Sequence, residues 1–328
     1  MIVQEYFKLK VFVAGCGRWG SFIAWYLDSI GHEVALYGRP SSEKMKDIIA
    51  TRKSGVLDLP DSIKLVTELD GLKKYDTVVI SVGSQALSAL MTDVAALSPE
   101  GKTFVLCMKG IEISTGRRLS EIVTSAVLPT NSVAVWLGPG HVEEFSLGRP
   151  NCMVIDSAND EVKHRLVDAF SSSLIRFYYG TDLIGNEVGA AAKNVVGIAA
   201  GVLDGLGLSS LKGALMARAP REISRLVEKM GGDPVSVYGL CHLGDYEATV
   251  FSKYSHNRAF GESLVTGAAF EGLAEGYYTV KALIGLGERY GVDLPICRAV
   301  YNVCYCSANI REEIEQLFSR SLKYEFGI

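Results

Sequence analysis

Residues 11–27 read VFVAGCGRWGSFIAWYL. An apolar, β-branched run meets Gly15, Gly17 and Gly20, and an amphipathic stretch begins at once. Strand, tight glycine turn and helix in that order constrain the chain more than any other segment. Such a turn leaves free N–H groups and a partial positive charge at the helix start, which suits a pyrophosphate. Gly15 makes the turn, Gly17 admits phosphates close to backbone, and Gly20 lets helix and strand touch. The spacing alone is a weak signal, but between a strand and a helix it is the dinucleotide-binding fingerprint. The competing reading is an ordinary glycine-rich βα turn.

The rest of the first half repeats this alternation. Strands are predicted at 9–15, 33–38, 63–67, 77–82, 103–108, 133–138, 152–156 and 174–179, with helices between them, notably at 19–30 and 85–97. Several of these runs are continuously apolar and rich in Val and Ile, as strands buried on both faces are. The pattern predicts an α/β fold: a Rossmann-like, doubly wound parallel sheet. From residue 183 strand-like runs vanish, and Ala, Gly, Leu and Glu recur with helical period. At 328 residues two domains are expected. They are a nucleotide-binding domain over 1–181 and an all-helical substrate domain over 182–328, meeting near Gly180-Thr181-Asp182. The closing segment 308–326 reads as an amphipathic helix.

Composition narrows the function class. A chain 48% hydrophobic and 21% charged, with net charge −4, can bury a large core and has no basic stripe for nucleic acid. Its seven cysteines form no CxxC pair, which fits buried free thiols in a reducing cytoplasm and no structural zinc or other metal. The first residues lack a leader's basic start and apolar core. The most membrane-like run, 188–203, is shorter than the roughly 20 residues of a span and carries Lys193 near its middle. A cytoplasmic protein with no membrane span is expected.

Cofactor choice is written where the second strand ends. An acid there would hold the ribose hydroxyls of NAD. The chain has Leu36-Tyr37-Gly38-Arg39 instead, and Arg39 can pair with the 2′-phosphate of NADP, so NADP is favoured over NAD.

Residues 185–207, GNEVGAAAKNVVGIAAGVLDGLG, pose a second problem. Gly185, Gly189, Gly197, Gly201 and Gly205 recur every fourth residue, each costing a helix roughly 0.8–1 kcal/mol against alanine. Lys193 occupies the one missing place. We read Gly189 and Gly197 as clearing side chains from around the ammonium, so that substrate and nicotinamide can approach backbone. The alternative is that the glycines serve helix packing, as assigned to Gly201 and Gly205, while Lys193 snorkels outward.

Four more segments complete a pattern: CMKGIE (107–112), LGPGHVEE (137–144), EVGAAAKNVVGIAAG (187–201) and GLCHLGDYEATVFSKYSHNRAFGE (239–262). With the glycine loop they resemble the bacterial type of NAD(P)-dependent glycerol-3-phosphate dehydrogenase over nearly the whole chain. The resemblance implies reversible reduction of dihydroxyacetone phosphate to sn-glycerol 3-phosphate for glycerophospholipid synthesis, by a homodimer. It implies that Lys193 is the proton donor and acceptor, with Asp245 beside it, and that Lys109 lies where substrate and cofactor meet. Gly138 and Gly140 would line the substrate, and Ser255, His256 and Asn257 would grip its phosphate. Arg18, Trp19, Arg39, Val142, Leu273 and Glu275 match cofactor-contacting positions, as do Lys109 and His256. A lysine of ordinary pKa about 10.4 is a poor base at pH 7 but a ready acid, and Asp245 would keep it charged. Ketone reduction is therefore the expected direction. The ammonium can stabilise the developing alkoxide, so the reaction requires no metal.

Two departures stand out. The family usually has arginine where this chain has His256, and serine or threonine where it has Gly140. An imidazole of ordinary pKa about 6.5 is mostly neutral at pH 7, so the Michaelis constant for the ketone is expected to rise between about pH 6 and 8. Arg258 is the candidate to compensate. The other histidines, His32, His141, His164 and His242, read as structural. Two alternatives stay open: a ketopantoate reductase or β-hydroxyacid dehydrogenase with the same two-part layout, and a nucleotide-binding sensor without turnover.

Overall fold

In the computed structural model of the chain, residues 8–322, 324 and 325 are described. The reading of the first residues as no leader falls partly on residues 1–7, and lies to that extent outside them. Lys323 and Phe326 of the predicted closing helix lie outside them too. Strands β1 (Lys10–Ala14) and β2 (Glu33–Tyr37) are followed by a small antiparallel hairpin, β3 (Lys53–Ser54) and β4 (Leu57–Asp58), which the sequence reading missed. Then come β5 (Lys64–Val66), β6 (Thr77–Ile80), β7 (Thr103–Leu106), β8 (Ser132–Leu137), β9 (Asn151–Ser157) and β10 (Ile175–Tyr179). The main sheet runs β10-β9-β8-β7-β6-β1-β2-β5. Strand order reverses between β1 and β6, and the crevice beyond their C-terminal ends is where such sheets bind ligands.

All eight predicted strands form, and helices α1 (Arg18–Ser29), α2 (Glu43–Thr51), α3 (Leu87–Ala96), α4 (Leu119–Ala126), α5 (Val142–Ser146) and α6 (Asp160–Phe170) cover both faces. This explains the unbroken apolar runs. Val11 and Val13 of β1 point into one core with Phe22 and Trp136, while Phe12 and Ala14 point into the other with Leu87 and Phe104. One feature departs from a fully parallel sheet: β8 and β9 are antiparallel. Their connection, residues 138–150, holds one helix of only five residues, α5, about 8 Å long, whereas parallel neighbours are usually joined by a full crossover helix.

Beyond β10 the chain is helical: α7 (Leu183–Gly205), α8 (Lys212–Lys229), α9 (His256–Thr266), α10 (Glu275–Tyr290), α11 (Pro295–Cys306) and α12 (Ile310–Phe318). Helix α7 is 23 residues long, longer than the membrane-like run 188–203 and shifted two residues toward the N-terminus from the glycine-rich segment 185–207. Among the described residues it alone is long and apolar enough to cross a bilayer, yet 78% of its most apolar window is buried within the protein. Being wrapped by protein on every side, it is apolar all round.

The glycines are what let the other helices in. A Cβ on Gly201 would lie 1.9 Å from the Arg258 carbonyl oxygen, and one on Gly261 2.0 Å from that of Ile198. Helix α9 therefore crosses α7 backbone to backbone, and α10 does the same at Gly276, 2.5 Å from the Asn194 carbonyl. The glycines flanking Lys193 follow suit, against our sequence reading. A Cβ at Gly189 would meet His242 at 3.0 Å, and one at Gly197 would meet Thr249 at 2.8 Å. They admit protein rather than substrate, because a helix buried on all sides must yield space to its neighbours. All seven cysteines are free. Cys16, Cys107, Cys241 and Cys297 are buried as expected, whereas Cys152 and Cys304 are half-buried and Cys306 is exposed.

Candidate active site

Lys193 lies near the middle of α7 and does not snorkel. Its Nζ donates to Thr249 Oγ1 at 2.7 Å and sits 3.1 Å from Asp245 Oδ2. Lys109, in the loop after β7, reaches the same oxygen at 2.5 Å and donates to the Gly138 carbonyl at 2.7 Å. One carboxylate oxygen thus holds two ammoniums, one from each half of the chain. Burial pushes Lys193 down to about 8, Asp245 pulls it back up, and Lys109 opposes Asp245. At pH 7 it is still roughly nine-tenths protonated.

Asp245 ends a short turn, Leu243–Asp245, that runs into a π-helix, Glu247–Phe251. Such insertions are frequent at functional sites. Here it turns Thr249 so that its hydroxyl donates to the Asp245 carbonyl at 2.8 Å while accepting from Lys193. The same turn carries His242, fully buried, whose Nδ1 lies 2.8 Å from the Gly189 carbonyl and whose Nε2 lies 2.8 Å from the Tyr246 hydroxyl. Burial lowers this imidazole to about 4, so it is neutral and structural, as its sequence reading held. The sequence reading missed Thr249; its only signal was a hydroxyl four residues after Asp245.

The segment expected to grip a phosphate behaves unevenly. Ser255 is buried and caps α9 by accepting from the Arg258 N–H at 3.3 Å. Asn257 donates to Asn194 Oδ1 at 3.0 Å and accepts from the Gly276 N–H at 2.8 Å, tying α7, α9 and α10 together. His256 is exposed, with its ring against Gly272. Arg258 is not free to replace an arginine at 256. Its guanidinium is held by Asp204 at 2.9 Å and Glu262 at 3.3 Å, below the C-terminal end of α7.

On the nucleotide side, Gly15 has φ +123° and a Cβ there would lie 2.1 Å from the Ser81 carbonyl oxygen. A Cβ on Gly20 would lie 1.9 Å from the Gly15 carbonyl, so α1 rests directly on the turn. At Gly17, the N-cap of α1, a Cβ would meet nothing within 4 Å, and no side chain caps the helix. That open, uncapped N-terminus fits a dinucleotide pyrophosphate. Arg18 pairs with Glu143 across the mouth of the loop, and Trp19 packs on Phe22 at 5.0 Å between ring centroids. Arg39 is exposed just beyond β2 and makes no ion pair among the described residues. Val142 is buried at the start of α5, and Leu273 is exposed. Glu275, raised by burial, accepts from Ser84 Oγ at 2.8 Å across the two halves. Gly138 has φ +130° with Met153 close behind it, and the space of a Cβ on Gly140 is taken by Phe145, 2.3 Å away.

The family model described as NAD-dependent glycerol-3-phosphate dehydrogenase N-terminus matches residues 10–163, and the one for the C-terminus matches residues 182–315. A glycerol-3-phosphate dehydrogenase (NAD(P)+) of Pelodictyon phaeoclathratiforme is 35% identical over 97% of this chain and 99% of its own. One from Streptomyces griseus is also 35% identical, over 97% and 98%. The crystal structure of a glycerol-3-phosphate dehydrogenase from Coxiella burnetii superposes with a TM-score of 0.90, at 26% identity over 96% of this chain and 100% of that one. A ketopantoate reductase from Ralstonia eutropha shares the fold at a TM-score of 0.62 and 15% identity, over 94% of this chain and 100% of its own.

Proposed function

The chain belongs to the NAD-dependent glycerol-3-phosphate dehydrogenase family, and from that premise we propose how its residues interconvert dihydroxyacetone phosphate and sn-glycerol 3-phosphate. The observation that carries the proposal is the pair of ammoniums on Asp245 Oδ2. NAD(P)H, when bound, supplies the hydride. Lys193 donates its proton to the ketone oxygen as that oxygen becomes an alkoxide, and accepts it in the reverse direction. Burial lowers the proton's affinity for nitrogen, which eases the transfer, while Asp245 keeps enough of the lysine charged to act as an acid. Thr249 points the ammonium, because its hydroxyl proton is committed to the Asp245 carbonyl and its oxygen can only accept. Lys109 adds a second positive charge for the developing oxyanion. These charges meet the need a metal would otherwise fill.

The sheet half, 1–181, would hold the nucleotide through Gly15, Gly17, Arg18, Trp19 and Gly20, with Val142, His256, Leu273 and Glu275 bordering the nicotinamide end. The helical half, 182–328, would hold the phosphate of the ketose near Ser255, His256 and Asn257. The preference for NADP rests on Arg39, which is exposed at the end of the strand that would carry the ribose and has no ion pair among the described residues. The free thiols support a cytoplasmic setting, and the homodimer rests on the resemblance. Initial rates of dihydroxyacetone phosphate reduction with NADPH and NADH test the reaction and the cofactor preference. Lys193→Ala should lower kcat about a thousandfold with the nucleotide dissociation constant nearly unchanged. Arg39→Ala should raise the Michaelis constant for NADPH about tenfold and leave NADH alone. Full activity in Lys193→Ala would overturn the assignment.

A further inference from the structure

The loop between β8 and α5 carries a histidine that this mechanism does not use. His141 follows Gly140 and precedes the first residue of α5. Its Nε2 is buried and has no hydrogen-bond partner among the described residues. A buried polar atom left unpaired is costly, because the water it gave up has not been replaced. The ring packs edge-on against Tyr254 of the helical half, centroids 5.6 Å apart, next to the 255–257 segment. Burial, first, and then the charges of Lys193 and Arg18 hold its pKa below the usual histidine value, while the Ala248 backbone carbonyl beside the ring and Asp245 act the other way. Three residues earlier in the same loop, the Gly138 carbonyl accepts from Lys109. His141 therefore lies in the same loop as the carbonyl that Lys109 holds, close enough to Lys193 and Asp245 to feel their charges.

The ketose has three polar ends. In the reading above, Lys193 meets the ketone oxygen and the 255–257 segment lies at the phosphate, which leaves the unphosphorylated primary hydroxyl. A hydroxyl both donates and accepts; an ammonium only donates, whereas a neutral imidazole nitrogen can take either role according to its tautomer. The resemblance would put a hydroxyl side chain at position 140, but Phe145 occupies that space here, and the next residue brings the polar atom instead. We propose that His141 Nε2 hydrogen-bonds the primary hydroxyl of the ketose and sets the enzyme's choice of substrate.

The proposal rests on the reductase reading and is tested beside it. Reduction of dihydroxyacetone phosphate is compared with that of hydroxyacetone phosphate, which lacks only this hydroxyl, in wild type, His141→Phe and His141→Gln. The wild type should favour the hydroxylated ketone in kcat/KM by about tenfold or more. His141→Phe should bring the two substrates within about twofold by losing activity on the first alone. His141→Gln, which keeps a polar atom near Nε2, should retain most of the preference, and NADPH affinity should not move in either variant. A preference that survives in His141→Phe, or a loss confined to NADPH binding, overturns the proposal. So does loss of preference in a well-folded His141→Gln, should the phenylalanine variant fail to fold. A wild type inert toward dihydroxyacetone phosphate overturns both readings at once.

Discussion

At Lys193 two forces oppose each other. Burial favours the neutral amine and Asp245 favours the ammonium, and burial wins by enough to bring the pKa from 10.5 to about 8. The sign of the consequence follows from linkage. Below about pH 8 the lysine is charged in both folded and unfolded chains, and the folded state bears a penalty of roughly 3 kcal/mol. Above about 10.5 it is neutral in both, and the penalty is gone. Lys193→Met should therefore unfold later than wild type at pH 7, by roughly 2–3 kcal/mol in denaturant titrations, while losing the ketone reduction proposed for it. The gain should fade between about pH 8 and 10.5, since Asp245 keeps Lys109 as a partner. Ketone reduction by the wild type should decline over the same onset, as the acid loses its proton above about pH 8. A variant less stable than wild type at pH 7 would contradict this. Lysine, carboxylate and second lysine were all legible in the sequence through resemblance. The shared oxygen and the Thr249 bond were not, because a π-helical turn sets which way that hydroxyl points.

At the scale of elements, α7 behaves as an axle on which α9 and α10 sit with no side chain between backbones. The recurring glycines were visible in the sequence, but their purpose at Gly189 and Gly197 was misread, since periodicity shows where side chains are missing and not what fills the gap. The structure separates two kinds of helical glycine. A Cβ on Gly201 would lie 1.9 Å from the Arg258 carbonyl, whereas one on Gly285 of α10 would meet nothing within 4 Å. Gly201→Ala should destabilise the protein by about 3 kcal/mol or more by prising α9 from α7. It should also raise the Michaelis constant for the ketone, because α9 begins at His256. Gly285→Ala should stabilise by about 0.5–1 kcal/mol through helix propensity alone. Urea titrations of both variants decide the matter, and equal midpoints would contradict it.

Across the whole molecule, a few polar contacts join the halves. Lys109 meets Asp245, Ser84 meets Glu275, and buried Glu187 of α7 takes Arg118 at 2.6 Å and the Ser120 N–H at 2.9 Å on α4. Removing one partner of a buried pair costs about 3–5 kcal/mol. Glu187→Met should thus lower stability by about 3 kcal/mol and split one calorimetric transition into two; a single, unshifted transition would refute the coupling. The eight strands of the main sheet and the helical second half were legible from the amino acids alone, and the charged groups through the resemblance. Strands and helices follow from side-chain period, which is a local pattern. What needed the folded chain was that β9 runs antiparallel to β8, that Arg258 is bound to Asp204, and that one aspartate oxygen serves two lysines. Those outcomes depend on which distant segments share a volume a few ångströms across, and spacing along a chain carries no record of that.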